Sequence, residues 1–489
     1  MKRCLIFLMI CLLALSTARA ETTLRVGAYV LPEAFTQAHP EVQAELDYEF
    51  NEQTLQQALI TRSMDMDVFR MFTHNISVAS VVDKGYCLDL SGSEIIREAV
   101  EKMYPSVKEL FVRDGHIYAL PLDLYPGSGD EYRCIEETWT ELGYTVEDVP
   151  KTFPALLDFL EGWVDRVVAE DLPYCVIGSW DETVYDAYAY PDWLVQQLMD
   201  TYIRRAESSG EPLRFTDPAL PELLDRAKRV GEDIFNLCEP VKTGAYNGDG
   251  LFELINLNFG DWTQTDWMLD MRLREDEPSA LNGSLYLMAV YAGTEHPELC
   301  IELLEDEWLE KIARLSDGDL STAYLLTDAE PVPNARSAED ARILSNCITM
   351  IEHRLAGDDA DFTTYLELTE ADYEIGPDQE STMDTYRSTY NRLWNQWDEQ
   401  EAREILERYT GSLELTRANV WYMSPEDLAA YRTYVSGFAF QTPTVFQYNS
   451  DDRSTYCNLL NQFTRGTITS QQLLQQLDGI AQMVLLEQR

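Results

Sequence analysis

The chain is predicted to fold as an α/β protein with more than one packed unit, and three observations carry that reading. Near the N-terminus the apolar residues alternate, then recur at helical spacing, then alternate again, so strands and helices follow one another in turn. At 489 residues the chain exceeds what a single hydrophobic core serves. With 45% hydrophobic and 11% aromatic residues it can fill large cores, and its acidic residues are spread along the chain instead of gathered in a tail.

The first element is a leader. Lys2 and Arg3 precede an apolar run from Cys4 to Leu15, and small residues lead to Ala18-Arg19-Ala20. This is the pattern of a signal peptide, residues 1–20, cleaved after Ala20. The run is shorter than the roughly 20 residues that span a bilayer. Cys11 follows Leu8-Met9-Ile10 and not the small residues that a lipid anchor requires, so an unanchored, extracytoplasmic protein is expected.

Leu24, Val26, Ala28 and Val30 alternate as in a strand, and Pro40 precedes a second strand from Val42 to Tyr48. Leu55, Ala58 and Leu59 fall at helical spacing, and Asp67 to Met71 reads as a third strand. A β-α-β-α-β order of this kind predicts a parallel sheet with helices on its faces. A helix near Val78 to Lys84 breaks at Gly85, a turn falls at Asp114-Gly115, and the strand Ile117 to Leu120 is expected to stop at Pro121. After Pro126-Gly127-Ser128-Gly129 a new register begins, with Thr152 capping a helix that carries Leu156, Leu157, Leu160 and Trp163. Tyr174 to Ile177 reads as a strand, while Trp193 to Ile203, Leu223 to Phe235 and Leu251 to Leu257 read as helical. Leu285 to Val290 is a buried strand and His296 to Leu309 a helix. Beyond residue 340 the pattern is mostly helical. It ends with Thr469 and Gln472 in a capping-box arrangement ahead of the stripe Leu473, Leu474, Leu477, Ile480, Val484, Leu485.

Charge excludes some functions. There are 37 Lys and Arg against 86 Asp and Glu, a net charge of −49, which repels phosphate backbones and anionic membranes. Nucleic acid is not an expected partner. Seven cysteines follow the leader, widely spaced and without a CxxC or Cys/His cluster, so mostly buried thiols are expected and no metal knuckle. No HExxH, GxSxG or GxxxxGK[ST] motif is present, and the five histidines are isolated. Asp317-Gly318-Asp319 and Asn247-Gly248-Asp249-Gly250 hint at calcium, but neither completes the twelve-residue loop, so both read as solvated turns. No cofactor is expected, and the many chance carboxylate pairs nominate no acid and base.

Several fragments stand out together: His39-Pro40-Glu41-Val42, Asp67-Val68, and Gly85 to Leu90 with its Leu88-Asp89-Leu90. The most specific is Asp114-Gly115-His116-Ile117-Tyr118-Ala119-Leu120-Pro121, joined by Val149-Pro150-Lys151-Thr152-Phe153 and by Gly466-Thr467-Ile468-Thr469. In this order they resemble an extracellular solute-binding protein of an ABC importer, family 1, the sugar type. Residues 350 to 450 match no pattern. The resemblance implies a two-lobe type II periplasmic-binding-protein-like fold with additional C-terminal helices. Lobe one would be 21–122 plus 286–345, and lobe two 123–285 plus 346–489. It implies a monomer that closes on a small-molecule solute, most readily a sugar, and delivers it to a membrane permease without transforming it.

A sugar ring offers apolar C–H faces ringed by hydroxyls, which its receptors meet with Trp or Tyr faces beside Asp, Glu, Asn or Arg. Three places that follow strand ends supply this mixture. They are Asp123 and Tyr125; Trp180-Asp181-Glu182 with Tyr185, Tyr190 and Trp193; and Asp261-Trp262 with Trp267. Met71-Phe72-Thr73 and Trp421-Tyr422 are weaker candidates, and Trp193, beside Leu194 and Leu198, reads as core. For each single aromatic the alternative is ordinary packing. The acidity also admits a cationic solute such as a polyamine, held by aromatics and carboxylates. A secreted glycoside hydrolase with paired carboxylates, or a scaffold whose cleft has lost its ligand, are the rivals of a different kind.

Overall fold

A computed structural model of the chain describes residues 22–28, 30–47, 52–61, 63–126, 131–172, 175–178, 189–209, 212–238, 250–255, 262–277, 279–357, 397–436, 438–441, 444–447 and 450–487. The expected leader lies outside them, as do Trp180, Asp181, Glu182, Tyr185, Asp261 and most of Asn247 to Gly250. The fold is mixed helix and sheet. Its strands are β1 (Thr22–Val26), β2 (Val42–Leu46), β3 (Val68–Phe72), β4 (Val112–Arg113), β5 (His116–Ile117), β6 (Leu120–Pro126), β7 (Glu131–Cys134), β8 (Cys175–Gly178), β9 (Gly250–Ile255), β10 (Ser279–Val290), β11 (Val332–Pro333), β12 (Trp421–Met423) and β13 (Phe438–Gln441). Among the described residues no helix is long and apolar enough to cross a membrane.

By its internal packing the chain divides into two compact units: Met1–Ile312 with Ser321–Ala329 and Ala429–Arg489, and Ala313–Leu320 with Glu330–Leu428. The first unit holds two larger sheets and the β4–β5 hairpin. The larger has six strands in the order β13-β10-β3-β1-β2, with β6 also on β10. β1 is parallel to β2 and β3, as the alternating pattern requires, while β10 runs antiparallel to β3 and β6. The position of each strand explains its sequence. Central β3 reads VFRMF and buries Val68, Phe69 and Met71, whereas edge strand β2 reads VQAEL and stays half exposed.

Asp114 and Gly115, both at positive φ (51° and 84°), form the two-residue loop between β4 and β5. Asp-Gly is favoured there because both positions need left-handed backbone. Pro121 does not end a strand as expected. It lies inside β6, at the irregularity in the pairing with β10 between Tyr286 and Leu287, and proline is tolerated there because, among the described residues, β6 pairs with β10 alone.

The second sheet is β7-β9-β8, antiparallel on one side and parallel on the other. Residues 250–255 form its middle strand, not the helix that their apolar run suggested. A run this short fits either element, and Leu251 and Phe252, neighbours on opposite faces, are both buried, as in a strand covered on both sides. The core over this sheet draws on Trp139, on the helices Phe153–Glu170, Ala189–Ser209 and Leu220–Cys238, and on two C-terminal helices, Ser450–Thr464 and Ser470–Glu487. Thr152 caps the first of these, its hydroxyl accepting from the Ala155 N–H at 3.2 Å. Gly231 lets two of the helices touch, since a Cβ there would stand 2.5 Å from the Pro191 nitrogen. The last helix starts with the expected box: the Thr469 N–H donates to Gln472 Oε1 at 2.9 Å, and the Gln472 N–H donates to Thr469 Oγ1 at 3.2 Å.

Three stretches link the two sheets' cores, all at one end of the larger sheet. β6 ends at Pro126 and β7 begins at Glu131; β9 ends at Ile255 and β10 begins at Ser279. β13 pairs with the first four residues of β10, and Val445 and Phe446 just beyond it are buried in the second core. Because Pro126 lies opposite Gly283 while Phe72 lies opposite Tyr286, this is the end where β1, β2, β3 and β6 finish.

The second unit packs the helices Ala335–Leu355 and Glu399–Ala418 through Leu344, Cys347, Met350, Ile351, Ile405, Tyr409 and Leu413, with β11 paired to β12. The boundary expected at residue 345 therefore falls inside a helix whose apolar stripe belongs wholly to this unit. Residues 429–489 group with the first unit instead of following 346–428. Of the described cysteines, Cys87, Cys134, Cys300 and Cys347 are free and buried, and burial pushes the Cys87 and Cys300 thiols up to about 12. They are packing groups, not nucleophiles.

Candidate functional site

The strands of the larger sheet bring a polar and aromatic group of side chains to the end where the chain crosses to the second sheet. On β3 the Phe72 ring lies 4.9 Å from the Tyr286 ring of β10, centroid to centroid. Just beyond, the Thr73 N–H donates to the Leu285 carbonyl at 3.1 Å, and the Leu285 N–H donates back to the Thr73 hydroxyl at 2.9 Å. Those two bonds hold the chain in line past the strand end and place exposed His74, whose Nδ1 is 2.6 Å from the Ser284 hydroxyl. Tyr125, half-buried, stands opposite Ser284 in the β6–β10 register, and Asp123 stands opposite Tyr286. Burial pushes the Tyr286 hydroxyl above its ordinary range; the Glu307 and Asp123 carboxylates add to this and Arg70 opposes it. The hydroxyl therefore stays protonated and remains a donor near neutral pH.

Asp123 is placed for support and not for contact. It is 2% exposed, and its carboxylate accepts two bonds from Lys311 Nζ, at 2.8 and 2.9 Å, and one from the Ser321 hydroxyl at 2.8 Å. A carboxylate so committed ties β6 to the helix Pro297–Arg314 and to residues 321–322, with Thr322 also donating to the Leu122 carbonyl at 2.8 Å.

Trp262 is 1% exposed and packed in aromatic rings. Tyr431 lies 4.8 Å away, Tyr324 5.7 Å and Tyr434 5.8 Å, and the indole N–H donates to the Tyr324 hydroxyl at 3.3 Å. Trp267 is half-buried against the second core, 6.4 Å from Trp139. Tyr190 is buried in that core, and Trp193 packs on it 5.1 Å from Tyr132, as its helical neighbours implied. Trp421 lies on β12 of the second unit and is 38% exposed. Met71 is buried.

The structure thus brings Asp123 and Tyr125 together with Phe72 and Thr73. It adds His74, Ser284 and Tyr286, which the sequence did not single out. A signal was there for His74, which directly follows Met71-Phe72-Thr73; Ser284 and Tyr286 join these residues only through antiparallel pairing across more than 150 residues. Among the described residues no group of three or more His, Cys, Asp or Glu side chains is placed to hold a metal ion. At Asp317-Gly318-Asp319 the chain makes a turn, with Gly318 at φ 91° beside the Tyr422 ring. The group at the strand ends offers ring faces, hydroxyls and an imidazole, which can pack on C–H surfaces and form hydrogen bonds.

No known protein family matches the chain, and no curated protein matches it. Among solved structures it is similar to the cyclic alpha-maltosyl-1,6-maltose binding protein from Arthrobacter globiformis, with 12% identity, a TM-score of 0.47, and coverage of 95% of this chain and 99% of that one. It is similar also to an ABC transporter solute binding protein from Agrobacterium vitis with bound D-mannitol, with 10% identity, a TM-score of 0.43, and coverage of 95% and 98%. A third is an ABC substrate-binding protein from Listeria monocytogenes in complex with cycloalternan, with 10% identity, a TM-score of 0.42, and coverage of 95% and 98%.

Proposed function

We propose that this chain is an extracytoplasmic solute receptor of an ABC importer, with the two α/β cores of the first unit acting as lobes of a type II binding-protein fold extended by C-terminal helices. The solute is a small polar molecule, a carbohydrate first. It is held at the hinge end of the larger sheet and passed unchanged to a membrane permease, by a monomer exported on its leader. One observation carries the reading: all three links between the cores leave from the end where β1, β2, β3 and β6 finish, and the polar and aromatic side chains gather at that same end. In open α/β sheets ligands bind at the carboxyl ends of the strands, and a second lobe hinged there closes over them.

The chemistry suits a sugar. The rings of Phe72, Tyr125 and Tyr286 offer faces to C–H surfaces, and His74, Ser284 and the Tyr286 hydroxyl offer hydrogen bonds. A cationic solute would need free carboxylates, and Asp123 is already neutralised by Lys311. Thermal melting with a panel of maltosyl-maltose, raffinose, stachyose, mannitol and spermidine tests the proposal. At a concentration one hundred times its Kd, a binding sugar stabilises the fold by about 2.7 kcal/mol, so the melting temperature rises. No response to any sugar overturns the reading. Stabilisation by spermidine alone, erased by salt, replaces it with polyamine binding, and consumption of the sugar replaces it with hydrolysis.

A further inference from the structure

The segment Trp262–Trp267, a short 3₁₀ helix between β9 and β10, has a tryptophan at each end, and each ring is embedded in a different core. At its far end Trp267 packs by Trp139, Lys151 Nζ donates to the Asp266 carbonyl at 3.0 Å, and the Leu269 N–H donates to the Tyr132 carbonyl at 2.9 Å. All of these belong to the core over β7, β8 and β9. At its near end Trp262 fills a cage of Tyr324, Tyr431 and Tyr434. That cage belongs to the other core: the Tyr431 hydroxyl donates to the Tyr324 carbonyl at 2.5 Å, the Tyr431 ring lies 6.1 Å from Tyr104, and the Tyr104 N–H donates to the Leu325 carbonyl at 3.2 Å.

From this we infer that residues 262–267 are a strap that fixes the angle between the two lobes when no solute is bound, with the Trp262 ring as its catch. The inference rests on the two-lobe reading above. The strap is six residues long and anchored at both ends, so any sizeable swing of one lobe must pull the Trp262 ring out of its cage. Withdrawal exposes a large apolar ring and breaks its hydrogen bond, and closely packed aromatic cages have a seated and an unseated state with little between them. The catch therefore makes lobe opening a discrete event. While it is seated, the Tyr324, Tyr431 and Tyr434 faces are occupied by the protein's own indole and not offered to a solute.

Spin labels on the two cores test this. Glu94 (78% exposed) in the helix Glu94–Glu101 and Val168 (68% exposed) in the helix Phe153–Glu170 are changed to cysteine and take the labels, with half-buried Cys457 and also Cys175 and Cys238 replaced by serine. In the solute-free full chain the parent is expected to give one narrow distance distribution. Trp262→Ala is expected to broaden or shift it, and Tyr434→Ala, which removes one half-buried wall of the cage, to do so less and in the same direction. Where Trp262→Ala fails to fold, Tyr434→Ala and Trp262→Phe decide. Identical distributions in the parent and the folded variants overturn the strap, even if the sugars stabilise the chain. Conversely, broadening in the variants of a chain that no sugar stabilises upholds the strap and overturns only the receptor.

Discussion

Replacing Asp123 by alanine is expected to lower the unfolding free energy by about 3–5 kcal/mol, because it removes the buried carboxylate of a largely desolvated ion pair with Lys311. Lys311 reaches both Asp123 oxygens, at 2.8 and 2.9 Å. Surface pairs in this acidic protein, such as Arg25 with Glu45, would cost less than about 1 kcal/mol when broken. The charge effect separates from the packing effect in the double variant Asp123→Ala with Lys311→Met, which is expected to recover most of the loss. Urea unfolding followed by circular dichroism reads all three proteins. A loss under about 1 kcal/mol for Asp123→Ala would mean that water reaches the pair and that β6 is not pinned by it.

Trp139→Ala is the second large effect. This indole is wholly buried, stacked on Phe159 at 4.8 Å and 10° between planes, and it donates its N–H to the Leu251 carbonyl of β9 at 2.8 Å. Truncation leaves a cavity costing about 3–5 kcal/mol, while the Leu251 carbonyl keeps its bond from the Ile135 N–H at 3.0 Å. The loss is expected to be local to one core. In native-state hydrogen exchange the amides of β7, β9 and the helix Phe153–Glu170 should open first, while those of β1 and β3 stay protected. Equal acceleration in both sheets would show one continuous core and remove the basis for two lobes.

The parts legible in the sequence were those whose causes are local. The parallel start of the larger sheet followed from alternation at Leu24 to Val30 and helical spacing at Leu55 to Leu59. The caps at Thr152 and Thr469 followed from residues three positions apart. The turn at Asp114-Gly115 followed from the backbone those two residues favour. The errors were equally local in origin: Leu251 to Ile255 carries no period that separates a strand from a helix, and Pro121 stops a strand only where its missing N–H is needed.

The site was less legible because burial is decided by distant partners. Asp123 looks like a ligand group until Lys311, 188 residues on, claims it. Trp262 looks exposed in its polar loop until Tyr324 and Tyr431 close round it. His74 and Ser284 are 210 residues apart in the chain and meet only through the sheet. The unit formed by 313–320 and 330–428 was invisible as a unit, since its two helices are ordinary amphipathic stretches whose partnership no local pattern announces.

Small-angle scattering with the sugar that most raises the melting temperature bears most directly on whether two lobes trap a guest. The radius of gyration of the full chain should fall when that sugar is added and recover when it is dialysed away. A bound sugar that leaves the scattering curve unchanged would contradict closure around the solute.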